Sequence, residues 1–72
     1  MDIDKILIIL LKNAAKKKIK LSTYELAKKS GVSWSTVRLH CYKIKTDKTK
    51  NLTNEVVKLN KGNGTKTLWW IR

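Results

Sequence analysis

Seventy-two residues with a net charge of +12, one cysteine and no proline imply a single domain, 1–72, near the lower size at which a lone core stabilises itself. Cys41 has no second cysteine with which to form a disulfide or metal site, and it fits a reducing cytoplasm as a small apolar core residue. The apolar run Ile6 to Leu11 is far shorter than the roughly 20 residues of a membrane span, and two aspartates precede it where a signal peptide would carry lysines, so a soluble intracellular chain is expected.

The first helix is expected from about Ile3 to Asn13, with Asp2 as N-cap and two early acids matching the helix dipole. Ile3, Ile6, Leu7, Leu10 and Ala14 form its core stripe, which leaves Ile8, Ile9 and Leu11 in surplus. Either Ile8 and Ile9 enter a homodimer interface through this helix, or Leu11 and one isoleucine complete a wide core. Lys16-Lys17-Lys18 then reads as a basic loop, either a solvated surface or a reach toward phosphate. Ile19-Lys20-Leu21 alternates in polarity, as a very short strand would.

From Thr23 to Ile44 the chain reads as two short helices joined by a tight turn at Ser30-Gly31-Val32-Ser33. Ser22 and Glu25 have capping-box spacing, and Leu21 with Leu26 sits where a hydrophobic staple would. Gly31 falls where the first of these helices must stop, and glycine accepts the left-handed conformation of such a stop. Ser33 is the cap of the next helix, with Val32 and Val37 as its staple. Leu26, Ala27, Val32, Val37, Cys41 and Ile44 share a core side.

The following helix is expected from about Trp34 to Thr46. With Val37 at the core centre, Ser35, Arg38, Leu39, Tyr42 and Lys45 point outward, and Trp34 stands at the border. A solvated helix seldom exposes both a leucine and a tyrosine. Thymine methyl groups accept apolar contacts and Arg38 has the fork for guanine, so major-groove readout supplies one reason; packing on a later hairpin or a partner subunit supplies another. His40 has no carboxylate or cysteine at ligand spacing and is read as packed at the core edge.

Thr46 to Asn54 is polar and turn-like. Glu55 to Asn60 and Thr65 to Arg72 flank Lys61-Gly62-Asn63-Gly64, the pattern of a β-hairpin. Gly62-x-Gly64 is too little for a phosphate-binding fingerprint. Trp69 and Trp70 must project to opposite faces, so one enters the core. No nucleophile–base pair, metal-ligand set or cofactor motif is visible, and an enzyme is not expected.

The spacing E-L-A-x-x-x-G-V-S-W-S-T-V-x-x-H, Glu25 to His40, resembles the winged helix-turn-helix DNA-binding proteins, most of all small archaeal transcription regulators. The resemblance implies a mainly α fold with a small β-hairpin: three helices plus a C-terminal wing of two or three strands, with Ile19–Leu21 pairing to the hairpin. It implies double-stranded DNA as partner, the Trp34–Thr46 helix in the major groove and the wing on backbone or minor groove. Base-reading then falls to Ser35, Arg38, Leu39 and Tyr42, although Leu39 stands where relatives often carry a polar or basic residue. Backbone contacts fall to Ser33, Trp34, Thr36, Lys43, Lys45, Lys16, Lys17, Lys18, Lys61 and Lys66.

The charge distribution bears on the same expectation. Asp2, Asp4, Lys5 and Lys12 cancel within residues 1–15, so the whole excess follows Lys16, as it would for a polyanion partner. Fifteen lysines against two arginines suit phosphate contacts better than planar recognition. The competing explanation of that excess is a lysine-rich composition inherited from an AT-biased or thermophilic genome. The expected function is a nucleoid-associated transcriptional regulator. Its rivals are an architectural protein of low sequence preference and an interaction module within a larger complex.

Overall fold

The computed structural model describes residues 2–60, 62 and 64–72. Helix α1 spans Ile3–Lys16, and the Asp2 carboxylate accepts the Lys5 backbone N–H at 3.3 Å to start it. It runs three residues past the expected end because Ala14, Ala15 and Lys16 all favour helix, and a lysine in the last turn complements the dipole. Lys16 is therefore helical rather than part of a loop. The stop is a Schellman closure: Lys18 takes a left-handed φ of 57°, and the Lys18 and Ile19 N–H groups donate to Ala15 and Ala14 carbonyls, each at 3.0 Å.

That closure shifts the first strand. With its N–H spent on Ala14, Ile19 does not pair, and β1 is Leu21–Ser22 instead of Ile19–Leu21. Helix α2 spans Thr23–Ser30 and has the full capping box: the Ser22 hydroxyl accepts the Glu25 N–H at 3.0 Å, and the Glu25 carboxylate accepts the Ser22 N–H at 3.1 Å. Gly31 ends α2 at φ 74°, its N–H donating to the Ala27 carbonyl at 2.9 Å. Helix α3 spans Trp34–Thr46, the expected bounds.

Beyond α3 the structure departs from the expected polar turn. A single 3-10 turn, Lys48–Lys50, and a left-handed Asn51 lead directly into strand β2, Leu52–Lys58. Leu52 carries this early start, since its side chain is buried in the core and its backbone pairs with Ile71. Strand β3, Thr65–Ile71, pairs antiparallel with both β2 and β1, giving the sheet order β1-β3-β2. The Leu59 N–H donates to the Gly64 carbonyl at 3.0 Å and closes the hairpin, with Gly62 at φ 79° in its turn. Among the described residues, three α-helices, the 3-10 turn and a three-stranded antiparallel sheet make up the architecture. Among the described residues no helix is long and apolar enough to cross a membrane.

The core lies between α1, the α2–α3 pair and the inner face of the sheet. Leu7, Leu11, Leu26, Val37, Cys41 and Trp69 are fully buried, and Leu21, Ile44 and Leu52 nearly so. Ala27 and Val32 pack against this cluster from its edge. Leu11 is thus a central core residue rather than surplus; a helix covered by α2, α3 and β3 buries a wider stripe than one neighbour would require. Ile8 also packs against the core, Ile6 is only partly covered, and Ile9 stays half exposed. Each fully buried leucine contributes roughly 1.5–3 kcal/mol through the area it removes from water.

Trp69 is the tryptophan that enters the core. It stands on the central strand opposite Leu21 on one side and Asn54 on the other, and its indole N–H donates to the buried Thr23 hydroxyl at 2.9 Å. Trp70 faces the opposite side of the sheet, where the Lys20 ammonium lies 4.1 Å from its ring centroid and 3.3 Å from the Glu55 carboxylate.

Candidate nucleic-acid interface

Val37, Cys41 and Ile44 anchor α3 on the core, which fixes the rotation of the helix and presents the opposite side outward. Its N-terminus is capped by position only. Ser33 has the extended backbone of an N-cap, but its hydroxyl donates to Thr36 Oγ1 at 2.8 Å and accepts no backbone N–H. Ser33 and Thr36 are thereby engaged with each other. Burial pushes the Cys41 thiol up to about 12, and the nearby Asp4 carboxylate adds to the shift, so this cysteine is a neutral core group.

Between α3, the start of α2 and the hairpin lies a cleft of about 490 Å³. Trp34, Arg38 and Tyr42 form its α3 wall, Tyr24 one end, and Val56 with Thr67 the facing wall. Val56 and Thr67 pair in register and sit on the same sheet face as Trp69, which aims them at α3. Lys66 falls on the other face beside Val57 and borders the cleft from its rim.

Arg38 and Tyr42 are brought together here, but not as two free reading groups. The Arg38 guanidinium carbon is 5.3 Å from the Tyr42 ring centroid and 6.0 Å from that of Trp34, so the cation lies between two aromatic rings. Tyr42 in turn meets Trp69 edge-on, with centroids 5.0 Å apart and planes at 84°. Tyr42 thus packs on the hairpin, the alternative that its place on α3 left open, while it stays 38% exposed. Ser35 and Leu39 are exposed as expected, Leu39 the more so at 68%, and both lie on α3 outside the cleft lining.

The lysines divide sharply. Lys43 stands one turn beyond His40, on the side toward α1, where its ammonium is 3.6 Å from Asp4; it does not belong to the outer face. Lys45 donates to Asn54 Oδ1 at 2.8 Å and is tied to β2. Lys16 and Lys18 are exposed at the end of α1 outside the cleft lining, and Lys17 borders a separate groove with Ile19 and Lys29. Lys61 lies outside the described residues.

All five acids are engaged elsewhere. Asp2 caps α1, Glu25 closes the capping box, and Glu55 pairs with Lys20. Asp47 accepts both the N–H and the hydroxyl of Thr49, which hold its carboxyl below the usual range. Asp4 bridges His40, at 2.5 Å, and Lys43, joining α1 to α3. None of the residues lining the cleft is acidic.

Several of these contacts carry little or no sequence signal. His40 and Asp4 are 36 residues apart and Trp69 and Thr23 are 46 apart, beyond any local pattern. Tyr24 was legible in principle: it sits on the exposed side of α2 in its first turn, two residues after the Ser22 cap, where an aromatic ring has no helical reason to be. No protein family, curated protein or solved structure matches this chain, and the interface is read from its own geometry.

Proposed function

We propose that the chain is a winged helix-turn-helix domain that binds double-stranded DNA and acts as a transcriptional regulator in the nucleoid. One observation carries the reading: the cleft between α3 and the hairpin is free of acids in a domain of net charge +12, while every carboxylate is engaged elsewhere. In this reading α3 approaches the major groove with Ser35, Arg38 and Leu39 toward base edges. The hairpin lies alongside as the wing, with Lys66 toward phosphate.

A second reading, the low-specificity architectural protein, draws support from the chemistry of α3. Arg38 is its only arginine, and the helix has no asparagine, glutamine or acid to recognise adenine or cytosine. A domain so equipped grips backbone more readily than it reads sequence. Assembly as a homodimer through α1 would rest mainly on the half-exposed Ile9, since Ile8 packs against the core.

Binding to random and selected duplexes across a salt series tests the common part of both readings. With about five phosphates neutralised, log affinity should fall against log salt with a slope of roughly −4 to −5. A slope near zero, or no binding at low salt, would end the nucleic-acid reading.

A further inference from the structure

A surface that only grips duplex phosphates needs cations, hydroxyls and backbone amides. The α3 cleft holds more than that. Tyr24 is 66% exposed, Trp34 52% and, across the cleft, Val56 60%, so much of the open lining is aromatic or apolar. Such rings are poorly matched to a closed duplex, which presents base edges in its grooves and keeps base faces stacked. An unpaired base offers its face.

We propose that this cleft binds a single-stranded nucleic-acid segment, with an unpaired base stacked on Trp34 and phosphates held by Arg38 and, at the rim, Lys66. The proposal rests on the nucleic-acid reading above and specifies what the cleft itself receives. Arg38 is suited to the part because the rings of Trp34 and Tyr42 already flank its guanidinium, placing positive charge beside the stacking surface. Tyr42 is braced by Trp69 and gives that wall a fixed shape. The absence of acids in the lining removes a charge barrier to a polyanionic strand. Stacking on an aromatic platform tolerates any base. The segment is therefore bound with little sequence preference.

Fluorescence anisotropy with a short labelled oligothymidylate and a closed hairpin duplex, in one buffer at one salt concentration, tests this. Both should bind the full chain. Trp34→Ala should weaken the oligothymidylate about tenfold and the duplex much less, and Trp34→Phe should restore most of the loss. Far-UV circular dichroism checks the fold of each variant; should Trp34→Ala not fold, Tyr24→Ala removes a second ring of the same cleft and carries the same expectation. Duplex binding without oligothymidylate binding would overturn this inference and leave the duplex reading standing. Equal weakening of both ligands by Trp34→Ala would also overturn it, making Trp34 a general contact. Binding of neither ligand would remove both readings together.

Discussion

Thr23→Val offers a sharp test of how this small core is held. Thr23 is 4% exposed, and its hydroxyl accepts the indole N–H of the fully buried Trp69 at 2.9 Å. Valine keeps the shape of the side chain and removes the acceptor, leaving a buried donor without a partner. Such a loss costs about 1–3 kcal/mol. A domain of this length has only about 4–11 kcal/mol of total stability, so the substitution takes a large share of it. Urea unfolding followed by far-UV circular dichroism should show a lower midpoint with an unchanged slope. The melting temperature should fall by roughly 4–8 °C for each kcal/mol lost. A Trp69→Phe background separates hydrogen bonding from packing, because there Thr23→Val has no indole donor to orphan and should cost much less. If the valine costs the same in both backgrounds, or nothing in either, the Thr23–Trp69 bond does not hold strand to helix and the reasoning fails.

Cys41 sets a pH dependence with a definite sign. Its thiol ionises near 9.0 when unfolded and at about 12 when folded, so above pH 9 the unfolded chain releases a proton that the native state keeps, and stability falls as pH rises. By pH 10 the loss should reach about 1.4 kcal/mol, measured as the difference in denaturant stability between wild type and Cys41→Ala at pH 8 and pH 10; parallel curves would contradict it. Arg38→Ala should cost about 1–3 kcal/mol on a selected duplex and less on random DNA, while Lys66→Ala should weaken both by similar factors. Equal loss on every duplex for Arg38→Ala, read from competition binding, would favour the architectural reading over the regulator.

Features decided within a few residues were legible in the sequence. The Ser22–Glu25 capping box, the left-handed Gly31 and the bounds of α3 each depend on backbone groups no more than four positions apart, and each stands where the local pattern put it. Local reasoning also left Trp69 and Trp70 on opposite faces, since alternation is a property of any strand. Its errors fell where two local signals competed. The basic run at Lys16 looked like a loop although alanines carried the helix into it, and Thr53 and Asn54 looked like turn although Leu52 drew them into β2.

Which tryptophan went inward was settled only by register. Leu21 and Asn54 flank Trp69, and the Thr23 hydroxyl waits for its indole, an acceptor 46 residues away in sequence. The burial of Leu11 followed from three elements closing over α1 at once. The candidate site shows the same division. Charge and the exposed face of α3 pointed to a polyanion, but helical angle alone could not distinguish a free Tyr42 from one braced by Trp69, or a free Lys43 from one beside Asp4. A side chain's direction from its own helix is local physics; what stands in front of it is set by the packing of elements far apart in the chain.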